Sequence, residues 1–326
     1  MNLLVTGGAG YIGSVVAELA TTQGHSVTVV DNLNEGSRDA VPEGCDFIEG
    51  DVGDPRVLTQ AFTIRRQEAV LHLAAEAAIG VSMSEPARFY QVNVVQGLAL
   101  LEAMRSNAVD RLVFASTAAV YGEPRAVPIA EDHPKCPINS YGDSKLTFEN
   151  ILRWYHHAYG LRSISFRFFN AAGATVQRGE ARRQETHLIP RLLDVARGLH
   201  PALTVYGDDY PTADGSCLRD YVHVADIARA HLLAIEALEH IGFDAFNIGT
   251  ESGASVFEVV RAAEAVIGRR LPVLIQARRP GDPAVLVASS QRIRSELGWT
   301  PQVDSLQEII RSAWDWRQRF HAGNAA

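Results

Sequence analysis

Tyr141 and Lys145 stand four residues apart in a stretch that reads as helix, so both belong to one face. An ammonium beside a phenol favours the phenolate and draws a tyrosine pKa of ~10 toward working pH, which makes a general base. Lysine is scarce in this chain: of 30 cationic side chains only Lys135 and Lys145 are lysine, and the rest are arginine. A lysine kept at position 145 suggests a slender point charge that a guanidinium fork does not supply. Upstream, Phe114-Ala-Ser-Thr-Ala-Ala-Val-Tyr-Gly122 ends a strand pattern with hydroxyls at Ser116 and Thr117. At the carboxyl end of a parallel strand a hydroxyl can meet a substrate oxygen. Ser and Thr at strand ends also serve as plain caps.

A second constellation suits a dinucleotide. Thr6-Gly-Gly-Ala-Gly-Tyr-Ile-Gly13 closes the first strand pattern and opens a helix, with Gly7, Gly10 and Gly13 in G-x-x-G-x-x-G spacing. Glycines there permit the tight turn and bring backbone N–H groups of a helix start close to a pyrophosphate. Asp31 ends the next strand, where a carboxylate accepts both adenosine-ribose hydroxyls and repels a 2′-phosphate, favouring NAD over NADP. Asp51-Val52 follows the third strand and is placed to meet the adenine, although a lone Asp after a strand is more often a helix cap, here for the helix starting near Pro55.

The elements that must carry these residues follow from the apolar pattern. Short apolar runs near Leu3–Val5, Ser26–Val30, Asp46–Glu49, Ala69–Leu73, Arg111–Ala115 and Ser163–Phe166 predict strands covered on both faces. They alternate with helix-length stretches at Tyr11–Thr22, Pro55–Arg65, Pro86–Arg105 and Ser140–Tyr159, the pattern of βαβ units. After Ala171 the rhythm is irregular, and helices are expected again at Val224–Leu238, Val256–Ile267 and Ser305–Phe320. The expected fold is α/β: a Rossmann-type doubly wound parallel sheet with a smaller α/β substrate-binding region. Residues 1–170, with segments returning at about 219–250, form the nucleotide domain. Residues 171–218 and 251–326 form the substrate region.

Composition narrows the function. The 326 residues are 47% hydrophobic and 21% charged, enough for a large core, and the net charge of −8 offers no basic face for nucleic acid. No run nears the ~18 uninterrupted apolar residues of a membrane span. The strand pattern starts at Asn2, leaving no room for a signal peptide. Cys45, Cys136 and Cys217 are far apart and odd in number, as in a reduced cytoplasmic protein. The 11 histidines show no zinc spacing, so no metal is expected.

Taken in order, the glycine turn, the strand-end Thr117 and Tyr-x-x-x-Lys resemble the extended short-chain dehydrogenases/reductases. Phe168-Phe-Asn170, Thr186-His-Leu-Ile-Pro190, Val205-Tyr-Gly-Asp-Asp-Tyr-Pro-Thr-Ala-Asp-Gly215, Leu218-Arg-Asp-Tyr-Val-His-Val224 and Arg278-Arg-Pro-Gly-Asp282 sharpen this to a resemblance to the UDP-glucose (UDP-galactose) 4-epimerases. The resemblance implies C4 oxidation of UDP-glucose or UDP-galactose to a 4-keto sugar and non-stereospecific return of the hydrogen, with NAD as cofactor. By it, Tyr141, Lys145 and Thr117 are catalytic, and Phe169 borders the nicotinamide with them. Gly7, Gly10, Tyr11, Ile12, Gly13, Asp31 and Asn32 hold the rest of NAD, joined by Asp51, Val52, Leu73, Ala74, Ala75 and Asn93. The UDP-sugar falls to Thr117, Asn170, His187, Leu188, Tyr206, Arg219, Arg279 and Asp282, with Leu286 as a gate on sugar size.

This chain departs from that family at Ala77, where some members carry a lysine, at Val81 in place of a frequent acid, and at His187 in place of asparagine. The resemblance also implies a homodimer through Pro86–Arg105 and Ser140–Tyr159. Nucleotide-sugar 4,6-dehydratases and UDP-glucuronate decarboxylases carry an acidic residue just after the strand-end hydroxyl, whereas Thr117 is followed by Ala118-Ala119. A non-catalytic NAD-binding protein of the same fold usually lacks the Tyr or the Lys, and both are present here.

Overall fold

Apolar runs of four to seven residues become strands with both faces covered. The structure, a computed structural model, describes residues 1–182, 185–279 and 282–323, with side chains as far as residue 320. The first six strands are β1 (Asn2–Thr6), β2 (Ser26–Asp31), β3 (Asp46–Glu49), β4 (Ala69–His72), β5 (Arg111–Thr117) and β6 (Arg162–Phe168). Seven more follow: β7 (Asn170–Ala172), β8 (Leu203–Tyr206), β9 (Leu218–His223), β10 (Phe243–Ile248), β11 (Gly253–Ser255), β12 (Val273–Gln276) and β13 (Val285–Leu286). The main sheet is parallel throughout, in the order β10-β6-β5-β4-β1-β2-β3. Strand order reverses between β1 and β4, the switch point of a Rossmann-type fold.

Helices cover both faces. In chain order they are α1 (Tyr11–Thr22), α2 (Pro55–Thr63), α3 (Ile79–Ser82), α4 (Pro86–Tyr90), α5 (Gln96–Ser106), α6 (Ser140–Tyr159), α7 (Leu188–Ala196), α8 (Val224–Ala237), α9 (Val256–Ile267), α10 (Gln291–Leu297) and α11 (Leu306–Gly323). On one face α1 and α8 bury Val15, Val16, Ile227 and Ile235 against the sheet. On the other, α2, α5 and α6 bury Leu58, Leu100, Met104, Phe148 and Leu152. No described helix is long and apolar enough to cross a membrane.

Local chemistry sets the helix ends. Asp54 caps α2, its carboxylate accepting from Arg56 N at 2.8 Å, with Pro55 in the first turn where a missing N–H costs nothing. Asn139 caps α6 by accepting from Gly142 N, and Gly160 ends it at φ +73°. The stretch expected as one helix over Pro86–Arg105 is interrupted by a π-turn at Gln91–Val95, where buried Asn93 bonds the preceding loop. Sequence reading also lacked β10 and α7. The β10 residues Phe243-Asp-Ala-Phe-Asn-Ile248 follow a glycine and carry mixed polarity, and only pairing with β6 makes them a strand.

The later chain builds a second layer. Strand β9 pairs with β7, β11 and β13, while β8 pairs with β12. A separate core of Leu192, Leu193, Val205, Val259, Ala263 and Ile310 lies beneath them. The chain rejoins the first core through α8 and β10, and again through Ile293 and Trp299, further along than the expected return at 219–250.

Candidate active site

A cavity of about 450 Å³ opens at the carboxyl ends of the central strands, between the two layers. Gly7, Gly10, Tyr11, Ile12 and Gly13 line one end. Gly7 has φ +73°, and a Cβ on Gly13 would lie 2.1 Å from the Gly7 carbonyl oxygen, so the turn closes onto α1 only without side chains. No side chain caps α1 at Gly10, which leaves the first-turn N–H groups for an anion.

Asp31 lies at the end of β2, its Oδ2 accepting from Ala9 N (3.0 Å) and its Oδ1 from Leu33 N (2.9 Å). Burial pushes this carboxyl up, and the N–H bonds oppose the shift. Asn32 donates to Asp51 Oδ1 at 2.8 Å, and Val52 completes this end. With Asp54 as the α2 cap, Asp51 is free to face the cavity. A side-chain-free cradle beside a helix start, with a carboxylate at the next strand's end, fits a dinucleotide with an unphosphorylated ribose.

Leu73, Ala74 and Ala75 line the wall beyond β4, together with Ala77 and Val81. Asn93 stands behind that wall: it accepts from Glu76 N (2.9 Å) and donates to Glu76 O (3.0 Å) and Ser144 Oγ (2.9 Å). It therefore shapes the loop without facing the cavity.

Thr117, Tyr141, Lys145, Phe169, Asn170 and His187 line the other end. Thr117 caps the turn that follows β5, accepting from Ala119 N at 3.1 Å, and also hydrogen-bonds the Tyr141 side chain. Gly142 brings α6 against this turn, for a Cβ there would lie 2.5 Å from Ala119 O. Lys145 is 3% exposed; it donates to Ala115 O at 2.8 Å and lies 4.8 Å over the Phe114 ring. Burial pushes its pKa down to about 7, and the Glu149 carboxylate pulls it back up.

The expected depression of the Tyr141 phenol is not what the structure shows. Burial raises it, opposed by the Thr117 hydrogen bond and the charge of Arg182. The Lys145 ammonium bonds a carbonyl of β5, and the charge of Arg182 favours the Tyr141 phenolate. Sequence reading passed over Arg182 because nothing in its polar loop separates it from neighbouring arginines. Beside it, Glu180, Glu185 and His187 gather their ligand-type atoms within 4.8 Å of one another.

Other expected sugar-side residues do not line this cavity. Leu188 starts α7. Arg219, expected in a loop, lies on β9 and is 9% exposed. It donates to Leu218 O and Pro283 O and faces Asp282 Oδ1 at 3.3 Å. Arg279 stacks over the Tyr206 ring at 3.8 Å. Pro280 and Gly281, between Arg279 and Asp282, lie outside the described residues. Leu286 pairs with Arg219 in the β13–β9 register and, like Leu146 and Phe169, packs against the cluster of Val120, Tyr121 and Ile129. It is not among the residues that line the cavity.

Residues 3–249 match the family model of the NAD-dependent epimerases/dehydratases. The chain belongs to the NAD-dependent epimerase/dehydratase family. Within that family it is 47% identical to a UDP-glucose 4-epimerase of Corynebacterium glutamicum, over 96% of this chain and 95% of the relative. It superposes with TM-score 0.92 on a UDP-glucose 4-epimerase from Brucella ovis in complex with NAD, at 44% identity over 96% of this chain and 97% of that one. The epimerase from Bifidobacterium longum in complex with NAD⁺ and UDP gives TM-score 0.95 at 34% identity, over 99% and 100% of the two chains.

Proposed function

We propose that this chain interconverts UDP-glucose and UDP-galactose as an NAD-dependent 4-epimerase. The observation that carries the reading is the hydrogen-bonded Thr117–Tyr141 pair, with Lys145, in one cavity with the glycine turn and Asp31. The near-full-length likeness to 4-epimerases supports it. When bound, NAD⁺ supplies a transient oxidant for the sugar C4 carbon. Tyr141 takes the proton from the sugar 4-hydroxyl and gives it back once C4 is reduced again. Thr117 orients that oxygen through the same hydroxyl network that holds Tyr141. Lys145 holds the nicotinamide ribose and supplies positive charge beneath the phenol. Gly7, Gly10 and Gly13 take the pyrophosphate, Asp31 the adenosine ribose, Asp51 and Val52 the adenine.

Asn170, His187 and Leu188 hold the UDP-sugar, with Tyr206, Arg219, Arg279 and Asp282 enclosing its nucleotide end. Leu286 gates the room for the sugar's N-acetyl group. The labour divides by layer, with residues 1–170, α8 and β10 on the cofactor and residues 171–218 and 251–326 on the UDP-sugar. Two copies pair through Pro86–Arg105 and Ser140–Tyr159, which expose Tyr90, Val95, Trp154 and Tyr159. Cys45, Cys136 and Cys217 are free thiols, which supports a cytoplasmic enzyme.

Incubation with UDP-galactose tests the reading: UDP-glucose accumulates toward an equilibrium mixture. A product lacking the 6-hydroxyl would instead identify a dehydratase. Heat-released cofactor is NAD(H), and a preponderance of NADP(H) would contradict the role given to Asp31. Weak activity on UDP-N-acetylglucosamine rises relative to UDP-glucose in Leu286→Ala if this position gates the sugar. An unchanged ratio makes Leu286 a packing residue only.

A further inference from the structure

One helical turn beyond Lys145 lies Glu149, 4% exposed and outside the cavity lining. Its carboxylate accepts from Ser116 Oγ at 2.5 Å, from Arg167 Nε at 3.0 Å and from Arg167 Nη2 at 2.6 Å. Arg167 also donates to the Tyr121 hydroxyl at 2.9 Å, and Tyr121 donates to Asn247 Oδ1 at 2.7 Å. One ion pair thus ties α6 to β5, β6 and β10. A buried ion pair is a poor stabiliser, since apolar residues of the same volume often hold a core as well or better. Its place suggests another use. Ser116 sits between Ala115, whose carbonyl receives the Lys145 ammonium, and Thr117, which bonds Tyr141.

We infer that Glu149, held by Arg167 and Ser116, is a positioning residue that keeps Lys145 charged and fixes the end of β5 under the reacting oxygen. The relevance to turnover rests on the reading of Lys145 given above; the effect on Lys145 itself does not. Glu149 on its own helix and His72 on β4 act on Lys145, and the Tyr141 and Tyr121 phenols belong to the surrounding network. His72 is neutral, its pKa pushed to about 3 by burial and by Lys145. The two phenols are uncharged near neutral pH because burial raises both. Glu149 is then the one charge in this set that favours the Lys145 ammonium. Removing the Glu149 charge leaves burial, which favours neutral lysine.

The chain's two lysines make this directly readable. Protein labelled with ¹³C-lysine gives two ε-carbon signals, and Lys135→Arg identifies the one from Lys145. In Glu149→Gln the Lys145 midpoint is expected to fall by about one pH unit or more. The high-pH limb of kcat moves down with it, while KM for UDP-galactose changes little. If the lone guanidinium prevents folding, Glu149→Gln with Arg167→Gln removes both charges at similar volume, and the midpoint still falls. A Lys145 midpoint unchanged in the folded variants overturns the inference, whatever the activity. A midpoint that falls in a chain without epimerase activity supports the Glu149–Lys145 link and counts against the reaction assigned to the site.

Discussion

Lys145 turns its ammonium to the Ala115 carbonyl, and Tyr141 keeps a phenol raised by burial. Thr117 and the Arg182 charge oppose that rise. Tyr141→Phe removes only the hydroxyl, so the fold and bound NAD should persist while kcat drops about 10²- to 10⁴-fold. Near-wild-type turnover in a folded variant would take Tyr141 out of the mechanism. Lys145→Arg should fail as well. A planar guanidinium does not fit between the Phe114 ring and the Ala115 carbonyl, where one Nζ makes its contact at 2.8 Å.

Among elements, α6 does most to set the site, since its first turns carry Tyr141, Lys145 and Glu149. Its approach to the turn after β5 depends on Gly142. Exchanging a helix glycine for alanine ordinarily gains up to about 1 kcal/mol. Here the new Cβ would meet Ala119 O at 2.5 Å, and backbone has to yield. Gly142→Ala should therefore lose about 1–3 kcal/mol in urea unfolding and lower kcat more than it raises KM, because it moves Tyr141 from Thr117. A gain in stability with unchanged kcat would show that this approach does not set the catalytic spacing.

For the molecule as a whole, pH and assembly are the accessible variables. His231 is buried between Phe166 and Phe168, shares a 2.9 Å hydrogen bond with Ile227 O, and has no partner at Nε2. Burial pushes its pKa down to about 4. The unfolded chain binds a proton near pH 6.5 that the folded chain refuses, so stability is intact above that value and falls as pH drops from 6.5 toward 4. The slope is about 1.4 kcal/mol per pH unit for this one group. His231→Leu should gain on wild type across that window, and parallel stability curves would exclude His231 as a source of acid lability. The proposed dimer makes a separate claim on mass. Wild type should elute at twice the 35.5 kDa chain mass, and Trp154→Glu, altering a side chain 65% exposed, should elute as monomer. Unchanged elution of the variant would move the interface away from α6.

What the sequence determines by itself is local. Backbone periods of 3.6 and 2 residues are properties of any chain. Tyr141 and Lys145 therefore share a face wherever the helix lies, and α1, β3, α6 and α9 have the bounds read from pattern alone. The glycine turn and Asp31 are legible for the same reason, because strand, turn and helix start are contiguous. Tertiary structure decides whatever depends on desolvation or on partners distant in sequence. It makes Asp54 rather than Asp51 the cap, turns the Lys145 ammonium toward β5, and selects Arg182 and Arg167 from many arginines. It also joins Glu149 to Ser116, 33 residues apart. Strand β10 and the rejoining of Trp299 belong to the same class, since their mixed or isolated apolar residues gain meaning only from the surfaces that cover them. Charge and hydrogen-bond energies depend on what excludes water from them, and no residue type or spacing carries that information.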